Sequence, residues 1–127
     1  MLDQVRTMCY RTKSIVQAAD IRLTDGTITA RVTVPADSVW FEGHFPGAPV
    51  LPGIAQLAMV VQILCEVLKK PVSVTDVSRV RFKQAIMPAE PVEVQITPRE
   101  NDRLACGFRL LKASELACSG FLKLVEI

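Results

Sequence analysis

Absences bound this sequence first. Histidine occurs once in 127 residues, at His44. The four cysteines, Cys9, Cys65, Cys106 and Cys118, are dispersed and never fall in a paired CxxC spacing. One histidine with four scattered cysteines is a poor template for zinc, so no metal site is expected. Their mostly apolar neighbours read instead as reduced core or surface thiols of a cytoplasmic protein. There is no basic run, and the net charge is only +2, so nothing points to a nucleic-acid surface. The N-terminus MLDQVRTMCY has no basic segment leading into an apolar one, and so does not read as a signal peptide. The longest apolar stretch is interrupted by Gln56, Gln62 and Glu66, which leaves no span of membrane length. Linkers, repeats and low-complexity tracts are lacking too.

What remains is the composition of one folded domain over residues 1–127. Half the residues are hydrophobic and 22% are charged, enough for a sizeable core without metal or disulfides. Asp25-Gly26, between SIVQAADIRL and TITARVTV, signals a hairpin, because both residues tolerate the positive φ of a tight turn. Residues 36–53 form an irregular loop with three prolines and three glycines. From Pro52 to Lys69 the pattern predicts a helix. Pro52 loses no needed donor in its first turn, Lys69-Lys70 suit its negative end, and Pro71 stops it. Its apolar residues point to nearly every side, which requires burial all round. Strands are expected over 72–86, 91–98, 103–111 and 115–125, with turns at Pro88-Ala89-Glu90, Glu100-Asn101-Asp102 and Lys112-Ala113-Ser114. The economical solution is an α+β fold, an antiparallel sheet curled around one central helix, which finishes burying itself by dimerising.

The lone histidine lies in the most distinctive stretch, WFEGHFPGAPVLPGIAQLAM at 40–59. GHFPGAPVLPG running into an apolar helix resembles the signature loop of the hot-dog-fold (3R)-hydroxyacyl-acyl-carrier-protein dehydratases. VRFKQAIMPAEPVEV at 80–94 is similar to that family's basic-Phe-basic strand, Pro-acid turn and following strand. The resemblance covers roughly residues 14–125. MLDQVRTMCYRTK departs from the Pro-His-Arg-type stretch that commonly precedes the family's first strand. The resemblance implies a hot-dog dimer with a continuous sheet, sites at the dimer interface, and a substrate carried on the phosphopantetheine of acyl carrier protein or on coenzyme A, with no other cofactor. The reaction implied is loss of water from a (3R)-hydroxyacyl thioester to give a trans-2-enoyl thioester, in fatty acid or polyketide-type metabolism.

The chemistry of the residues agrees with these roles. A base of near-neutral pKa suits removal of the proton beside the thioester carbonyl, and His44 is the one such side chain. Gly53, opening the helix, can offer its backbone amide and the positive end of the helix dipole to the carbonyl oxygen as it gains charge. Gly47 with Pro46, Pro49 and Pro52 fixes the loop path. The resemblance also implies an apolar acyl tunnel along the helix, with Phe45 at its entrance and Ile54, Ala58 and Gln62 on its substrate side. Trp40 and Phe41 read as packing residues near the dimer seam.

One departure matters more than the rest. The family's acid stands fourteen positions after the histidine, and here that residue is Ala58. No Asp or Glu occurs between Gly43 and Cys65. Gln62, one turn on, can hydrogen-bond but is no useful proton donor. Gln56 precedes Ala58 by two and faces elsewhere on the helix. Glu66 lies near the helix exit, and Glu42 is the nearest substitute. Loss of a positioned acid costs about 10² to 10⁴ in rate. Three readings stay open: a dehydratase of variant design; a non-catalytic or half-catalytic subunit paired with an acid-bearing paralogue; and a hot-dog thioesterase. Arg79, Arg81 and Lys83 alternate along one strand and share a face, either simply solvated or a docking patch for an acidic carrier.

Overall fold

A computed structural model describes residues 17–37 and 51–126. Its elements are β1 Gln17–Thr24, β2 Thr27–Thr33, α1 Gly53–Leu68, β3 Val72–Phe82, β4 Val92–Arg99, β5 Asp102–Lys112 and β6 Glu115–Glu126. The expected helix is found within a residue at each end. The expected strands are found too, though β3 stops at Phe82 where the pattern had run to residue 86. Asp25 and Gly26 both take positive φ, 51° and 78°, as a two-residue hairpin between right-twisting strands requires. The β5–β6 turn uses the same left-handed pair on Ala113 and Ser114, at 49° and 65°.

All strand pairs are antiparallel, in the order β1-β2-β4-β5-β6-β3. The chain leaves the helix and crosses to the far edge of the sheet, where, among the described residues, β3 pairs only with β6. One face of each strand alternates inward, as Ile28, Ala30 and Val32 do on β2 and Val92, Val94 and Ile96 on β4. These join Cys106, Phe108 and Leu110 of β5 and Leu122 and Leu124 of β6 against the helix.

The helix departs from the expectation of burial on every side. Ala55 to Val61 are buried without a break, and Ile63 and Leu64 follow, but Cys65, Val67 and Leu68 are only half covered and Glu66 is exposed. The last turn runs out past the sheet. Its end also differs from the dipole argument: no basic residue lies in the last turn. Lys69 is the left-handed C-cap, with φ 56°, and Lys70 pairs with Glu126 at the end of β6. The chain must reverse before Pro71 to enter β3, and that reversal carries Lys70 to the sheet.

The cysteine reading is corrected in part. Cys106 and Cys118 are free and buried, as expected, and burial pushes both thiols up to about 11. Cys65 is disulfide-bonded. Pairing depends on which sulfurs the fold brings together, and spacing along the chain carries no trace of it.

Candidate functional site

The N-terminus of α1 is built by three residues, Leu51, Pro52 and Gly53. Leu51 N–H donates to the Ile86 carbonyl at 2.8 Å, and the Leu51 carbonyl accepts from Gln56 Nε2 at 3.2 Å. Both backbone groups of Leu51 are thereby used, which fixes the direction from which the chain enters the helix. Pro52 is the N-cap in extended conformation, with no side-chain cap, and its carbonyl accepts from the amides of Ala55 and Gln56. The first amides of a helix have no partner within it, and here Gly53 leads them.

Gly53 is packed closely by its neighbour. A Cβ at this position would stand 2.7 Å from Cζ of Phe82, closer than real Cβ contacts come. The absent side chain lets the Phe82 ring close over the helix start. Around this point lies a cleft of about 320 Å³, with Pro52, Gly53 and Gln56 on the helix side and Phe82 and Lys83 opposite. The opposite wall is held from several directions. The amides of Lys83 and Gln84 donate to the Ala117 carbonyl at 2.7 and 3.2 Å, and Lys112 Nζ donates to the Ala85 carbonyl at 2.6 Å. Glu90 Oε1 accepts from Met87 N–H at 2.7 Å and meets Lys112 at 3.3 Å. The Ala89 amide reaches the Val34 carbonyl at 2.9 Å.

The structure separates the site residues inferred from sequence into two faces. Pro52 and Gly53 border the cleft. Ile54, Ala58 and Gln62 form a stripe at four-residue spacing, in which Ala58 is 2% exposed and the other two are half buried. His44, Phe45, Pro46 and Gly47 lie outside the described residues, as do Trp40, Phe41, Pro49 and Glu42. Among the described residues no group of three or more His, Cys, Asp or Glu could hold a metal ion, and no helix is long and apolar enough to cross a membrane.

Gln56 does not share the face of Ala58. It shares the face of Gly53 instead, three residues back, and that spacing was visible in the sequence. It is 3% exposed, its Nε2 is used by Leu51, and its buried Oε1 has no partner among the described residues. An acceptor of this kind, at the start of a helix, can take a hydrogen bond from a bound group.

Comparison with known proteins agrees with this architecture. The ApeI-like family, described as ApeI dehydratase, matches residues 20–121. A 3-hydroxyacyl-[acyl-carrier-protein] dehydratase FabZ of Latilactobacillus sakei is 29% identical over 105 residues, 76% of this chain and 75% of the relative. A FabZ of Pelotomaculum thermopropionicum is 29% identical over 70 residues, and the match spans half the length of each protein. Among solved structures, the dehydratase heterocomplex ApeI:P of Xenorhabdus doucetiae superposes with a TM-score of 0.73 at 24% identity, over 89% of this chain and 98% of that one. The fold is the hot-dog fold: an antiparallel sheet with a single long helix packed on its inner face.

Proposed function

Because the chain belongs to the ApeI-like dehydratase family, we propose that it acts on 3-hydroxyacyl thioesters, with His44 as base and the Gly53 amide as donor to the thioester oxygen. The observation that carries this reading is the GHFPGAPVLPG sequence running directly into a helix that starts at Gly53, with a cleft beside it. His44 removes the proton from C2, and the carbonyl oxygen gains charge, which the Gly53 amide and the helix dipole stabilise. The C3–O bond then breaks, C2 and C3 become doubly bonded, and the departing hydroxide takes a proton to leave as water. The substrate arrives on the phosphopantetheine of an acyl carrier protein or on coenzyme A.

Ala58 favours a second form of the same reading, in which the proton for the leaving hydroxyl comes from elsewhere. A half-catalytic subunit would contribute His44 and Gly53 and take the acid from a paralogue across the interface. The ApeI:P neighbour is itself a dehydratase heterocomplex, which supports a mixed assembly without requiring one here. The outer edge of β3, at the end of the sheet, is where a second subunit would extend it. Reversible hydration of enoyl thioesters, followed by loss of enoyl absorbance, tests the reading. Turnover by the chain alone supports the variant dehydratase, and turnover only after adding an acid-bearing paralogue supports the half-site. Release of free thiol instead would mean thioester hydrolysis and would overturn both.

A further inference from the structure

Among the described residues two polar side chains are buried, Gln56 and Ser73, and only Gln56 borders the cleft at Gly53. Its orientation is set by Leu51. The Leu51 carbonyl can only accept, so it takes Nε2 of the carboxamide at 3.2 Å and leaves Oε1 on the other side. That oxygen is buried and has no partner among the described residues. The donors that share this wall are committed elsewhere. Leu51 N–H donates to the Ile86 carbonyl, the Lys83 and Gln84 amides to that of Ala117, and Gln84 Nε2 to Glu115 Oε2 at 2.7 Å. Leaving a buried acceptor unmet is costly, so native proteins supply such groups with water, an ion or a ligand.

The position of Gln56 says which ligand atom can reach it. Three residues at 1.5 Å rise place it roughly 4.5 Å deeper along the helix than Gly53, on the same side. Exposure falls in the same direction: Phe82, over Gly53, is 53% exposed and Gln56 is 3%. A thioester whose carbonyl oxygen meets the Gly53 amide then lies with its arm toward solvent and its acyl chain toward Gln56. A 3-hydroxyacyl chain carries a single hydrogen-bond donor, the hydroxyl at C3, close to the carbonyl. The amide N–H groups of the arm lie beyond the sulfur, toward the opening.

We propose that Gln56 is a specificity-determining residue, whose Oε1 accepts the hydrogen bond of the substrate's 3-hydroxyl. The inference rests on the reading above, in that it takes the thioester to be bound at Gly53. It adds the group that tells a hydroxylated acyl chain from a saturated one. A chain without the hydroxyl leaves Oε1 buried and unmet, and a site built around an acceptor rejects the analogue that lacks the donor. The enoyl product has lost that donor, so the same contact favours its release. A carboxamide oxygen holds the hydroxyl without protonating it, which keeps this role separate from the acid missing at Ala58.

The test measures, by calorimetry, the affinity of two unreactive analogues: a (3R)-3-hydroxyacyl and a saturated acyl pantetheine of equal length, each with nitrogen in place of the thioester sulfur. They are compared on the wild type, Gln56→Met and Gln56→Glu, with circular dichroism verifying that each variant is folded. The wild type should bind the hydroxylated analogue roughly tenfold or more tightly than the saturated one. Gln56→Met should bind the two equally, and the saturated analogue no worse than the wild type does. Gln56→Glu at about pH 5, where a buried carboxyl stays protonated, should keep the preference, because its O–H serves Leu51 and its carbonyl oxygen stays free. This variant decides the matter should Gln56→Met not fold. Loss of the preference in Gln56→Glu at that pH, its survival in Gln56→Met, or its absence in the wild type each overturns the proposal. Equal weakening of both analogues in Gln56→Met does so too, since it would mean that Gln56 only holds Leu51 or meets the arm. Failure of the wild type to bind either analogue also overturns it. Turnover of a 3-hydroxyacyl pantetheine thioester tests the catalytic reading separately, and turnover without a hydroxyl preference sinks this proposal alone.

Discussion

The ring of Phe82 lies over Gly53, so that the last residue of β3 closes against the first residue of α1. Only residues 69–71 separate α1 from β3, so the far ends of helix and returning strand share one corner, and the cleft forms where they meet. Phe82 is 53% exposed, so its ring has room to swing outward if pushed.

That mobility sets the expectation for Gly53→Ala. The added methyl displaces an exposed ring rather than a packed one, and a first-turn alanine is a good helix former. Stability should change by less than about 1 kcal/mol, while kcat falls roughly 10- to 100-fold as the cleft loses its wall. Thermal unfolding read beside thioester turnover checks both halves. A large drop in Tm with proportionate loss of activity would count against a specific role for this corner.

Ala58→Glu asks whether the missing acid is the defect. The position is 2% exposed, so a carboxyl there enters an apolar setting and should lower Tm. If the chain works alone, turnover should nevertheless rise by about 10² to 10⁴, and His44→Ala should abolish it. An unchanged rate in Ala58→Glu, with activity restored by an acid-bearing partner, would assign this chain the half-site role.

Two lysines that each meet a glutamate should behave differently. Lys70 and Glu126 form an exposed pair, with side chains 44% and 54% accessible, so Lys70→Met should cost about 0.5 kcal/mol or less. Lys112 is 23% accessible and contacts both the Ala85 carbonyl and Glu90. Its removal frees the 84–90 segment that walls the cleft, and Lys112→Met should cost about 1 to 3 kcal/mol. Urea unfolding of the two variants gives the comparison.

Alkaline pH should weaken the fold through two buried thiols. Cys106 and Cys118 shift from an ordinary 9.0 up to about 11 because burial disfavours the thiolate. Between those values the unfolded chain has released protons that the folded chain retains, so unfolding is increasingly favoured as pH rises. The contribution is full below pH 9 and is lost through pH 11. The urea midpoint of a Cys106→Ala/Cys118→Ala variant should therefore depend less on pH across that window, and in the wild type both thiols should label slowly at neutral pH.

Much of the architecture was legible because it follows from local rules. Period-two alternation marked VEVQITP and LACGFRL as strands, Asp25-Gly26 marked a hairpin, and Pro52 and Pro71 bracketed the helix. The exact end of β3 was not legible, since residues 83–86 keep a strand-like pattern while the Lys83 and Gln84 amides both turn to the Ala117 carbonyl instead of a ladder. The fate of Lys70 was hidden for a similar reason. A dipole argument sees only the helix, and Glu126 is distant in sequence and near in space.

The sequence by itself determined the element types, the histidine loop and the alanine at the acid's position, because each rests on residue identity and short spacing. Tertiary structure alone decided that β3 would cross to β6, and several features follow from that single choice. It sets Phe82 on Gly53, aligns Arg81 with Arg109 across Ser119, and brings Lys83 to the wall of the cleft. Strand order is fixed by how all inward faces can cover one helix at once, a property of the whole core that no short window of sequence contains.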